Sequence, residues 1–154
     1  MVAFELILAN HVETALAVLT MFFAYLRPGE GIALVEEDLV PPSVSTVHFA
    51  LNLHPAQRGV ASKTGFCDET IVSDQTDFPQ LGEALTLLNT GDPIQPLFAM
   101  PAHQIRQEFY EAQEHLEMFP PRATLQRLRH GGLSHDARAK LRIPKQVKER
   151  GRWA

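Results

Sequence analysis

A chain of 154 residues with 45% apolar side chains is long enough for one real hydrophobic core, and its single cysteine, Cys67, excludes an internal disulfide framework and a multi-cysteine zinc site. The net charge of −4 conceals a strong polarity. Residues 1–120 hold 4 of the 14 Lys/Arg and 16 of the 18 acids, a balance of −12, whereas residues 121–154 hold 10 bases and 2 acids, a balance of +8. A basic tail of that density reads as an anion-binding surface, most often for nucleic acid; the plain alternative is a solvated helical face that neutralises the acidic body.

Taken in order, the chain starts without a basic n-region or a small-residue cleavage site, so a signal peptide is not expected and the reading is of an intracellular protein. Leu6 to Leu26 is apolar enough to suggest a membrane span, but Asn10, His11 and Glu13 near its start would be expensive in lipid, and a buried core helix is expected instead. Asn10 followed by Glu13 has the form of a helix start, and Val12, Leu16, Leu19, Phe23 and Leu26 recur at helical spacing up to a break at Pro28-Gly29. A short helix or turn is expected over Glu30 to Leu39, stopped by Pro41-Pro42. From Val44 to Leu53 the period changes to two, with Val47, Phe49, Leu51 and Leu53 alternating with Thr46, His48, Ala50 and Asn52, as in a half-buried strand. Gly59 to Gly65 predicts a second short strand ending in a turn, and Glu69 to Ser73 a third. Pro79 to Asn89 reads as a helix. Pro101 opens the clearest helix, to about Phe119, with Ile105, Phe109, Ala112 and Leu116 on one face. A basic segment from Arg122 to Arg129 then runs into Gly131-Gly132, read as a helix end, and Ser134 is the expected N-cap of a further helix. The whole is a single domain, mainly α with a small antiparallel β-sheet, of the α+β class.

Three stretches carry candidate chemistry. In Tyr25-Leu26-Arg27-Pro28-Gly29-Glu30, followed by Leu34 and Asp38, the arginine is expected to project from a helix end with Glu30 bracing its guanidinium. Taken alone, this is also what an ordinary arginine at a helix C-terminus looks like. Ser62-Lys63-Thr64-Gly65 places a lysine on a turn. Gln126-Arg127-Leu128-Arg129-His130-Gly131-Gly132 places a second arginine at an expected helix end. Ser134-His135-Asp136 is not a hydrolase triad, since adjacent residues on a helix point to different faces. The seven histidines show no metal-ligand spacing, and no metal is expected. A helix-turn-helix reading of Leu125 to Val147 is one residue short of the usual spacing.

The ordered set of arginine, lysine, arginine and tryptophan resembles the tyrosine recombinases, the phage-integrase-like DNA breaking-and-rejoining enzymes, and covers nearly the whole chain. The His-Asp that follows Ser134 and the closing Lys148-Glu149-Arg150-Gly151-Arg152-Trp153 look particularly like recombinases encoded by eukaryotic mobile elements. The resemblance implies a recombinase catalytic-core-like fold and metal-independent phosphoryl transfer. Arg27 and Arg129 would clamp the oxygens of one DNA phosphate, and Lys63 would protonate the leaving 5′-oxygen. Trp153 and Gln126 would donate to the phosphate, Gln126 standing where the family has a histidine that can exchange a proton. Arg127, His130, Lys145, Lys148, Arg150 and Arg152 become DNA contacts. The implied partners are double-stranded DNA and further recombinase protomers, with no cofactor and no membrane, and the implied location is nuclear in a eukaryote. The family's nucleophilic tyrosine would fall beyond Ala154, Tyr25 and Tyr110 do not match its position, and the family's N-terminal core-binding domain has no counterpart here. A non-catalytic DNA-binding module and an acidic protein-interaction domain are the alternative functions.

Overall fold

In a computed structural model of the protein, which describes residues 1–44, 46–53, 58–59, 69–118 and 123–152, the chain is mainly helical with one small three-stranded antiparallel sheet. This is the α+β class expected. It divides into two compact units, one of Met1–Ile32 with Phe98–Ala154 and one of Ala33–Leu97.

The first unit is all helical: α1 (Val2–Leu8), α2 (Val12–Phe23), α3 (Pro28–Ile32), α5 (Ala102–His115), α6 (Leu125–Arg138) and α7 (Pro144–Arg150). Its centre is α2, buried from Thr14 to Val18 and again at Thr20 and Met21, with α1, α5 and α6 packed against it. A helix buried on nearly every side must be apolar all round, and that explains the run which resembled a membrane span. Among the described residues no helix is long and apolar enough to cross a membrane. Leu6, Ile105, Phe109, Leu125 and Val147 supply the surrounding core. The buried hydroxyls on α2 are satisfied, that of Thr14 by Glu108 at 2.5 Å and that of Thr20 by the Leu16 carbonyl at 2.7 Å.

Three local readings are corrected here. Asn10 does not open α2: it sits at φ 64°, a left-handed conformation asparagine tolerates, and makes the turn between α1 and α2, whose N-cap is His11. Pro28-Gly29 does not end a helix. α2 has already stopped at Phe23, and Pro28 occupies the first position of α3, where a missing N–H costs nothing. Gly131-Gly132 does not break α6, which runs through both and leaves Ser134 in its interior. The reason is a close approach. A Cβ on Gly132 would lie 1.9 Å from the Phe22 carbonyl oxygen of α2 and 3.0 Å from Cδ1 of Tyr25. Only glycine lets the two backbones meet there.

The second unit holds a 3-10 turn (Glu36–Asp38), β1 (Leu39–Val40), β2 (Ala50–Leu53), β3 (Glu69–Val72) and α4 (Leu81–Thr86). The strand order is β1-β2-β3, and the register aligns Leu39 with Leu51 and Leu51 with Ile71, so three buried aliphatic side chains share one face. The alternation read from Val44 becomes strand only at Ala50, because Val44 and Val47 are exposed and have no core to face. The helix expected over Pro79 to Asn89 is the shorter α4, and most of the strand expected over Gly59 to Gly65 lies outside the described residues. The Glu36 carboxylate accepts from the Thr90 N–H at 2.6 Å, the Thr90 hydroxyl at 2.7 Å and the Gly91 N–H at 3.0 Å, which hold it ionised below the usual carboxylate range against its desolvation.

Candidate anion-binding cluster

Glu30 is the centre of the only part of the helical unit where three of the sequence's candidate arginines meet, among the described residues. Its position follows from local structure. As the third residue of α3 it reaches back to the Arg27 N–H at 2.7 Å, the glutamate half of a capping box, while its other oxygen takes the Arg27 guanidinium at 2.7 Å. The brace expected between Arg27 and Glu30 is therefore present. The same carboxylate receives Nη2 of Arg152, 122 residues away in sequence, and lies 3.6 Å from Nη1 of Arg129. Burial by itself would raise the Glu30 pKa. The Arg27 N–H, the Arg152 charge and the Arg27 side chain outweigh it and hold the carboxyl below its ordinary range.

Three guanidinium groups thus gather around one carboxylate. The arginines differ in access. The Arg27 side chain is 31% exposed, whereas Arg129 is only 2% exposed. Arg129 donates Nη1 to the Tyr25 carbonyl at 2.9 Å and Nη2 to the Gly151 carbonyl, so it ties the end of α7 to the chain just past α2. Arg150 adds a third tie, from Nε to the Phe23 carbonyl at 3.0 Å, and its guanidinium lies 5.6 Å from the centre of the Tyr25 ring. These arginines satisfy carbonyls at the C-terminal end of α2 that have no helical partner of their own.

Behind the cluster, the Tyr25 hydroxyl donates to Asp136 at 2.6 Å, and Arg142 donates its Nε to the same carboxylate oxygen at 2.8 Å. Burial first, then the hydrogen bond to Asp136 and its charge, lift the Tyr25 phenol above the usual tyrosine range. A buried, neutral phenol already bound to a carboxylate is no nucleophile.

Of the other site residues read from the sequence, Gln126, Arg127 and His130 are exposed on α6, and Lys145 and Lys148 are exposed on α7. Lys63 and Trp153 lie outside the described residues. The sequence reading missed the Tyr25–Asp136–Arg142 chain and the meeting of Arg152 with Glu30. Both join residues more than a hundred positions apart or rest on a turn at Tyr25 (φ 51°), and no local pattern signals either. Among the described residues no group of three or more His, Cys, Asp or Glu side chains could hold a metal ion.

In comparisons with protein-family models, with curated proteins and with solved structures, nothing matches the chain.

Proposed function

We propose that the protein is a DNA-phosphate-binding domain of the tyrosine recombinase kind, with a recombinase catalytic-core-like arrangement of its helical unit. The observation that carries this reading is the convergence of Arg27, Arg129 and Arg152 on Glu30, with Arg27 left accessible at its edge. In this reading Arg27, the accessible member, takes the non-bridging oxygens of a phosphate. Arg129 and Arg152 raise the positive potential beneath it, fixed in place before any charge develops. Glu30 orients Arg27. In strand cleavage a tyrosine oxygen would bond to phosphorus as the bond to the 5′-oxygen breaks, Lys63 giving that oxygen its proton, with Gln126 and Trp153 as neutral donors. Tyr25 is not that nucleophile, because its hydroxyl is buried and committed to Asp136.

The test is binding to a fluorescent duplex in the presence of a chelator. Binding should be steeply salt-dependent, with dissociation constants of about micromolar or weaker at physiological salt. Arg27→Ala should weaken it about tenfold, the loss of one charge-assisted contact, without moving the thermal midpoint by more than a degree or two. Denaturing electrophoresis after incubation with a nicked duplex should show no adduct at Tyr25 or Tyr110. A chain that ignores DNA at low salt, or an Arg27→Ala variant that binds as well as the parent, overturns the proposal.

A further inference from the structure

A second basic feature lies on the opposite, outward side of α6. Arg127, His130, Ser134, His135 and Arg138, with Gly131 and Ala139 as small floor residues, line a concavity of about 710 Å³. Positions 127, 131, 134 and 138 form one stripe at the helical repeat, so Arg127 and Arg138 stand at the two ends of one groove. Both are exposed. Among the described residues neither guanidinium makes a hydrogen bond or ion pair. Arg27, Arg58, Arg129, Arg142, Arg150 and Arg152, by contrast, are all bonded to carboxylates or carbonyls. Among the described residues no carboxylate lines the groove, and the one acid of α6, Asp136, is turned inward to Tyr25. In a chain with net charge −4, two exposed arginines in a groove that no described carboxylate lines make a local positive strip that attracts an anion.

We infer that this groove is a second anion track, taking a run of phosphates of a nucleic-acid backbone. Eleven residues of α-helical rise set the Cα atoms of the two arginines about 16 Å apart along the axis, a span suited to several phosphates in succession. Among the described residues the lining carries two arginines, two histidines and a serine and no large aliphatic side chain, which suits a sugar-phosphate chain better than a lipid surface. Each arginine can grip phosphate in a bidentate way. The inference rests on the DNA reading of the Glu30 cluster, and adds to it a contact strip on a different face of the same helix.

The test is the salt dependence of duplex binding by the whole chain, with Arg127→Gln/Arg138→Gln beside Arg27→Ala, and with poly-glutamate as competitor. Because both side chains are exposed and unpaired, the double variant should unfold at the parent's temperature. The slope of log affinity against log salt should fall by about 1.8, near 0.9 for each phosphate contact removed. If the parent binds and the double variant keeps the full slope, the groove inference fails while the Glu30 reading stands. If the double variant loses binding and Arg27→Ala does not, the groove stands and the Glu30 reading fails. If poly-glutamate displaces DNA from the parent as well as unlabelled duplex does, at equal charge, the groove belongs to an acidic protein partner and the nucleic-acid inference is overturned.

Discussion

Replacing Gly132 by alanine separates packing from propensity more sharply than any other single change in this protein. In an exposed helix interior the substitution would stabilise by about 1 kcal/mol, because glycine loses more backbone freedom on folding. Here the new methyl would sit 1.9 Å from the Phe22 carbonyl oxygen and 2.9 Å from its carbon, both backbone atoms of α2. An ordinary C···O approach is about 3.3 Å, so α2 and α6 must separate by about 1.4 Å. A gap half that size already forfeits a large part of each contact along the seam. Overpacking of this kind costs about 1–3 kcal/mol, and a clash with backbone rather than a side chain belongs at the upper end. The net expectation is destabilisation of about 2 kcal/mol after the propensity gain. Gly131 is the internal control, since a Cβ there would meet only side-chain atoms, Cε2 and Cδ2 of the Phe22 ring at 3.1 and 3.5 Å, and no backbone. Gly131→Ala should therefore be neutral or stabilising by up to about 1 kcal/mol. Urea denaturation of the two variants reads both numbers. A Gly132→Ala protein as stable as the parent, or two variants shifted equally, would refute the close contact between α2 and α6. The same separation would pull Arg129 from the Tyr25 carbonyl, so Gly132→Ala should also weaken DNA binding.

Three further outcomes are expected. Glu30→Gln removes the carboxylate charge that Arg129 and Arg152 share with Arg27 and should cost about 3 kcal/mol near neutral pH. Because the folded Glu30 pKa is depressed, its stabilisation is present above the ordinary carboxylate value of 4.5 and is lost as pH falls through the folded value. The stability gap between parent and variant should accordingly narrow from pH 7 to pH 3, read from denaturation curves at the two values. Tyr25→Phe removes a hydrogen bond to an ionised partner and should cost about 2 kcal/mol, measured by urea titration. In the parent the raised phenol pKa gives stability that is complete below the ordinary value of 10.0 and lost at higher pH, a loss the phenylalanine variant should not share. Arg129→Lys keeps the charge but lacks the planar fork that reaches the Tyr25 and Gly151 carbonyls together, so it should lower the thermal midpoint markedly, whereas Arg27→Lys should not.

The parts of the fold legible in the sequence were those with a strong period. α5 declared itself through Ile105, Phe109 and Ala112, which are buried as their spacing requires, and β2 through Leu51 and Leu53. The glycine pair was misread because a helix-ending glycine and a contact glycine are the same letter, and only the position of Phe22 across the seam tells them apart. α1 was missed because Val2–Leu8 continues the apolar run of α2, and the turn between them depends on the backbone angle of Asn10 alone. In the candidate site, the short-range pair of Arg27 and Glu30 could be read from a spacing of three residues. Arg152 could be listed as basic but not assigned to Glu30, since nothing local specifies a contact across 122 residues.

The arginines that close the end of α2 have a consequence for biosynthesis. The carbonyls of Phe23 and Tyr25 are made early, yet their donors, Arg150 and Arg129, leave the ribosome more than a hundred residues later. At about 5–20 residues per second, α2 waits several seconds with its last turn open and the side that α6 covers exposed. The unit of Ala33–Leu97 is continuous and can close during that interval. The helical unit cannot, because its two segments flank the other unit in sequence. A nascent chain halted before Arg129 can cover α2 with α1 and α5 but not with α6, a partly closed state that invites chaperone capture or aggregation.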